Sequence, residues 1–294
     1  MDRKQLDHGV TAITFFLTIF VSLITILITF ILFGKSLPLL QTTSLAELLI
    51  GSSWQPFESR FGFYPFIIGT IWVTLISMII AIPLAILSAI YLAEYASPRI
   101  RSVLKPSIDL LAGIPSILFG LWGVLVIVPV VRNTIAPLFS VSTTGYCILS
   151  GGIVLSIMII PIILSLSDEL FRTVPAGMKT ASLAVGATRW QTVKYVVLRK
   201  TWPGVLAAII LGFSRAFGET MAVLMVVGNV AEIPRSVFDP AYPLPALIAN
   251  NYGEMLSVPL YDSALMFAAL ILFVIVVLFN IAAKILLTRF REAM

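Results

Sequence analysis

Arg215 and Glu219 stand inside an otherwise apolar stretch, Val205–Gly228. Spaced four residues apart, they fall on one face of a helix. A charge at a bilayer centre costs at least about 2.5–3.5 kcal/mol on insertion scales. An opposite charge one turn away offsets part of that. Two readings stay open. Either the pair neutralises itself for structural reasons, or both side chains face a polar pathway in which Arg215 meets an anion. A guanidinium suits the second role, because its planar fork donates two hydrogen bonds to a phosphate or carboxylate. Glu219 would then hold Arg215 in place and compete with the anion, keeping binding weak enough for release. Ser214, Thr220 and Asn229 supply further hydrogen-bonding groups nearby.

Other chemistries lack their residues. The chain has one cysteine, Cys147, and one histidine, His8. An intrachain disulfide and a zinc site built from several Cys or His ligands are therefore excluded. A Ser-His-Asp triad would have to use His8, in the charged N-terminal end. With no clustered carboxylates either, no catalytic residue, metal site or cofactor is expected. Gly34-Lys35-Ser36 ends like a phosphate-binding loop, but Thr29 stands where the first glycine belongs. It also follows an apolar segment on the outer side, which makes it a chance match.

The elements that carry these residues follow from composition. Of 294 residues, 59% are hydrophobic and 11% charged, with a mean hydropathy of +1.06. Soluble domains carry about 25% charged residues. An ordinary soluble enzyme is thereby excluded, and so is disorder. Six stretches reach the roughly 20 apolar residues that a membrane helix needs. They are Val10–Phe33, Phe63–Leu92, Leu110–Val131, Gly145–Leu166, Val205–Gly228 and Ser263–Leu287. The first is too long for a signal peptide's apolar region and lacks a cleavage site of small residues.

Ser77, Ala81, Ala85, Ala89 and Ala93 recur every four residues in the second stretch, a pattern that lets helices approach closely in lipid. Pro83, Pro115 and Pro161 interrupt spans two, three and four. Leu111–Gly123, with Asp109 at its inner edge, combines Gly113, Pro115, Ser116 and Gly120. It either lines a pathway, with Ser116 as a candidate, or provides close helix contact.

Of the 19 Lys and Arg, fourteen fall on the side of the termini and four on the other, with Arg215 inside the fifth span. Such an excess marks the cytoplasmic side, so both termini are expected there. The net charge of +5 follows the span ends and does not form a nucleic-acid footprint. Ser44-Leu-Ala-Glu47, in the first outer loop, is a capping-box pattern that opens a short helix on the membrane surface.

The inner loop Ser167–Pro203 holds six of the basic residues. Pro175 suits a first helical position, Ala176–Val185 is rich in helix formers, and Gly186 sits where helices end in the left-handed conformation. Thr188 and Gln191 form a second capping box, opening a helix that runs past Trp190 towards Pro203. A helix, a glycine turn and a helix with exposed apolar residues form a structure suited to a partner's groove.

The run Ala181-Ser-Leu-Ala-Val-Gly186-Ala-Thr-Arg-Trp-Gln, with Val196-Val-Leu198 after it, resembles the coupling loop of ATP-binding-cassette importer permeases. Thr180 replaces that family's glutamate, and Arg199 its usual proline. Arg215-Ala-Phe-Gly-Glu-Thr-Met, Trp54-Gln-Pro56, Phe66-Ile-Ile-Gly-Thr70, Tyr91-Leu-Ala-Glu-Tyr95 and Leu111-Ala-Gly-Ile-Pro-Ser116 narrow the resemblance to the phosphate-importing branch.

The resemblance covers about residues 50–290 and implies an all-α integral membrane protein of the type I importer kind. Residues 1–62 would form an N-terminal membrane helix and outer loop, and 63–294 a five-helix permease core with coupling loop 167–203. Thr180, Ala181, Gly186, Ala187, Thr188, Arg189 and Trp190 would contact the ATPase. The substrate implied is phosphate, with molybdate or sulfate as the alternative within this machine and a stand-alone anion carrier outside it. The implied partners are a second permease, two ATP-binding subunits and an extracytoplasmic phosphate-binding protein, in a bacterial or archaeal cell membrane. The outer loop Ala231–Asp262, rich in Pro, Asn and Tyr, is the expected docking surface for the binding protein.

Overall fold

The computed structural model describes residues 3–254 and 257–292. Met255 and Leu256 of the outer loop fall outside that set, and so do the side chains of residues 1–10, His8 included.

The chain is helical almost throughout, with one two-stranded hairpin, Trp54–Gln55 against Arg60–Phe61. In chain order the helices are α1 (Arg3–Thr42), α2 (Leu45–Ile50), α3 (Tyr64–Ile90, continued by a wide π turn Tyr91–Tyr95) and α4 (Pro98–Ala112). Next come α5 (Ser116–Leu138, with π turns inside it), α6 (Ile148–Arg172), α7 (Ala176–Ala184) and α8 (Arg189–Phe217). The chain closes with α9 (Met221–Val226), α10 (Leu244–Asn251) and α11 (Tyr261–Glu292). Among the described residues, six helices are long and apolar enough to cross a membrane: α1, α3, α5, α6, α8 and α11.

The centre of the bundle is α3 laid against α6. Ser77, Ala81, Ala85 and Ala89 are buried with Leu155, Ile159 and Ile163 around them. The small-residue row is therefore a packing stripe, and Gly152 on α6 answers it: a Cβ there would stand 2.5 Å from Ile76 Cγ2. In hydrocarbon this close fit replaces the hydrophobic drive that water would supply. Helix α1 lies along α11 and is exposed over most of its length. Gly34, Lys35 and Ser36 are part of α1, with Ser36 donating to Leu32 O, so no phosphate-loop geometry exists there. Ser44 caps α2 by accepting from Glu47 N, one half of the expected capping box.

Several span boundaries differ from the hydropathy reading, span one running on to Thr42. Leu110–Ala112 closes α4 and does not begin span three. The chain breaks at Gly113–Pro115, where Pro115 takes the cap position and lacks the amide needed to continue a helix. Span five runs from Arg189 to Phe217 and not from Val205 to Gly228. Ser167–Arg172 likewise still belongs to α6, so the inner loop proper is shorter than 167–203.

Candidate functional site

Helix α8 stops at Phe217, with Gly218 as its cap. Glu219 follows in the break, and its Oε1 accepts from Ala222 N at 3.2 Å, at the start of α9. A carboxylate is well placed there, because the first amides of a helix have no partner within it. Thr220 is the cap residue of α9, its hydroxyl donating to Gly218 O. The expectation of one continuous face for Arg215 and Glu219 is thus corrected: the helix ends between them. No ion pair joins them, and Arg215 is exposed with no acidic partner among the described residues. Glu219 lines a narrow cavity with Thr70 and Thr74 of α3, Phe217 and Pro243.

After α9 the chain reverses. Gly228 has φ +96 and Asn229 φ +54, which only glycine and short polar residues adopt readily. Ala241 N donates to Val227 O, and Leu244 N to the Thr70 hydroxyl, tying the returning strand and α10 to the bundle. The Asn229 amide donates to Leu224 O, while its Oδ1 is buried without a protein partner. Gly120 of α5 packs directly on α9: an added Cβ would lie 2.6 Å from Met225 Sδ and 3.1 Å from Ala222 Cα. Ser116, one helical turn earlier, is half-buried and makes no side-chain hydrogen bond to the other candidates.

The Ser214 hydroxyl donates to Asn280 Oδ1 of α11 at 3.1 Å, beside a stacked Phe213–Phe279 pair 3.7 Å between centroids. The sequence reading missed Asn280. Its signal was available: it is the one amide in the apolar stretch Ser263–Leu287.

The inner hairpin forms as its sequence requires. Pro175 is the cap of α7, one place before the expected position. Ala187 N donates to Ser182 O and Gly186 N to Leu183 O, the paired bonds of a glycine-terminated helix. Gly186 has φ +89. Thr188 and Gln191 exchange both capping-box hydrogen bonds at 2.7 and 3.2 Å. Ser182 and Thr192 hydroxyls meet at 3.0 Å and close the hairpin across its mouth. At the tip Val185 is 86% exposed and Trp190 50%. Ala181, Thr188 and Arg189 are also exposed, Ala187 is half-buried, and Thr180 turns its hydroxyl onto the carbonyls of Ala176 and Gly177. The second hairpin helix is the first part of α8, so it continues into span five without a joint.

Two ion pairs near this hairpin lay outside the sequence reading. Arg101 grips the fully buried Asp168 through both carboxylate oxygens, at 3.0 and 2.6 Å, and also donates to Leu92 O. Lys179 of α7 pairs with Glu94 in the π turn that ends span two. These partners are 67 and 85 residues apart, beyond any local pattern.

Residues 81–292 match the family model described as the inner membrane component of binding-protein-dependent transport systems. A probable ABC transporter permease protein, YqgH, of Bacillus subtilis is 39% identical over 245 residues, covering 83% of this chain and 78% of its own. The phosphate transport system permease protein PstC of Xylella fastidiosa is 38% identical, covering 81% and 77%. A probable PstC of Methanocaldococcus jannaschii is 35% identical and spans 88% and 87%. Among solved structures, the inward-facing MetNI methionine ABC transporter superposes with a TM-score of 0.57 at 17% identity, covering 76% of this chain and 93% of that one. At that identity the likeness speaks for the fold.

Proposed function

From the premise that the chain belongs to the inner-membrane-component family of binding-protein-dependent transport systems, we propose that it forms half of the translocation pathway of an ATP-driven phosphate importer. One observation carries the substrate assignment beyond the relatives' names. Arg215 has no acidic partner among the described residues and stands two residues before the end of α8. An unpaired guanidinium in a membrane span is costly unless an anion or water meets it. Phosphate presents the paired oxygens that its fork fits.

The roles divide by position. Arg215 receives the anion, with Ser214 and Asn280 beside it on spans five and six. Glu219, bonded to the first turn of α9, holds the break open and keeps its charge close to the arriving anion. Thr220 and Asn229 stabilise the turns on either side of α9, and Ser116 lies on the adjoining span. The face bearing Arg215 and Asn280 is covered by a second permease, since neither side chain suits lipid. Residues 1–62 act as a peripheral anchor, and 63–294 as the moving core.

The hairpin points to the cytoplasm with both termini, following the basic residues. Its tip, from Thr180 and Ala181 through Gly186, Ala187, Thr188 and Arg189 to Trp190, seats in a groove of one of two ATP-binding subunits. The loop Ala231–Asp262 faces an extracytoplasmic phosphate-binding protein. Hydrolysis takes place in the ATP-binding subunits. ATP shifts the spans between two arrangements only as far as its contacts at the hairpin differ between them.

The test is radiolabelled phosphate uptake in proteoliposomes holding the whole assembly, with sulfate and molybdate as competitors. Phosphate alone should compete at equal concentration. Arg215→Ala should abolish uptake while the complex still assembles and inserts. Normal uptake by that variant would remove Arg215 from the pathway, and equal competition by sulfate would overturn the substrate assignment.

A further inference from the structure

The hairpin is chained covalently to span four through Thr173–Pro175 and to span five through α8. It also touches span two, to which no short segment connects it. Lys179 Nζ bonds Glu94 Oε1 and reaches Phe171 O at 3.4 Å. Arg189, opening α8, lies over the Tyr95 ring at 5.7 Å from its centroid. Each hairpin helix therefore holds one of two adjacent residues at the end of span two.

Those two residues belong to a π turn, in which Ala96 N bonds Tyr91 O, five residues back. Such turns put an extra residue into the helix and cluster at functional positions. A second π turn, Val193–Val197, lies on α8 just beyond the hairpin. Both π turns keep the backbone helical, so each stays continuous with its span.

The two ion pairs at this end differ in how readily they break. Asp168 is 0% exposed, doubly bonded by Arg101 and also paired with Arg172 at 3.6 Å, which makes it costly to separate. Glu94 and Lys179 keep 14% and 22% of their side chains in solvent, so water can reach either one as they part.

We propose that Glu94 and Lys179 are positioning residues for transport: their ion pair carries the hairpin's displacement into span two, alongside the covalent route into span five. The proposal rests on the hairpin being the ATPase contact. When the ATPase moves the hairpin, span two follows because Glu94 is held, and the pathway opens on both sides of the α3–α6 core together. Without the pair, spans four and five move and span two lags, so ATP is spent with little transport.

The experiment uses the complete assembly in proteoliposomes, with phosphate uptake and ATP hydrolysis measured together. Glu94→Gln and Lys179→Met should assemble and hydrolyse ATP normally, while phosphate moved per ATP falls about fivefold or more, the lower range of measured site-to-site coupling. Lys179→Arg should keep most of the ratio. The exchanged pair, Glu94→Lys with Lys179→Glu, should recover it. An unchanged ratio in the single variants overturns the proposal, as does failure of the exchange to restore it. Loss of assembly also overturns it, because the pair would then serve the fold and not transmission. Failure of the substrate reading is distinct: the unmodified assembly would carry another anion, and the same ratio is then measured with that anion.

Discussion

Around Trp54 the rings of Phe61, Phe63 and Phe66 meet edge-on at 5.0–5.4 Å, with Tyr261 and Phe267 completing a buried cluster. At the opposite end of span two, around Glu94, the chain is held by ion pairs and a cation over a ring. Ring packing is short-ranged, so a small displacement loses many contacts at once. The Glu94–Lys179 pair, partly in solvent, loses less when it parts, because water can replace the partner, while the buried Arg101–Asp168 pair stays closed. The first kind of end resists motion, and the second tolerates it. The aromatic end also gathers α1, the β-hairpin, α10 and α11 into one cluster, while the charged end leaves its hairpin tip uncovered.

That contrast makes separable forecasts. The largest effect is expected at the aromatic end. Phe66→Ala should destabilise the protein by about 3–5 kcal/mol, the range for emptying a buried aromatic site, seen as a lower midpoint of thermal unfolding in detergent. The protein that survives should transport the native amount of phosphate per ATP. A changed ratio in that folded fraction would break the contrast, since the rigid end would then be moving too.

Gly186→Val comes next. An added Cβ meets no atom within 4 Å, so the cost is confined to a φ of +89. A β-branched residue pays about 1–3 kcal/mol there. Bundle stability should hold, while capture of the ATPase subunit and stimulated hydrolysis should both fall. Native capture and hydrolysis would show that hairpin shape is not what the ATPase reads. The smallest effect belongs to Thr188→Ala, which removes one half of the capping box at a cost of about 1 kcal/mol. Hydrogen exchange should quicken at the Gln191 amide and leave the α3–α6 core unchanged; equal quickening in the core would mean that the hairpin and bundle unfold as one unit.

Much of this molecule was legible from residue order because its causes are local. The α7–Gly186–α8 turn follows from a glycine, a threonine and a glutamine at set spacings. The row from Ser77 to Ala89 announced a close helix contact, and Gly152 supplied the partner surface. Span five was misplaced for an equally physical reason. Apolar residues flank Gly218–Thr220 on both sides, so a window of 20 residues averages over the three-residue break without registering it. Arg215 and Glu219 then looked like neighbours on one turn, when Glu219 is occupied with the amide of Ala222.

By itself the sequence determined that the chain spans a membrane, how many apolar helices it carries and where the inner hairpin turns. Each of these depends on the composition or spacing of residues within about 20 positions. Only the tertiary structure decided that Arg215 stands without its presumed partner, that Asn280 meets Ser214, and that Glu94 reaches Lys179 across 85 residues. Such pairings are set by which faces of distant helices meet in the folded bundle, α8 against α11 among them. That packing is a property of the assembled bundle, and no single segment contains it.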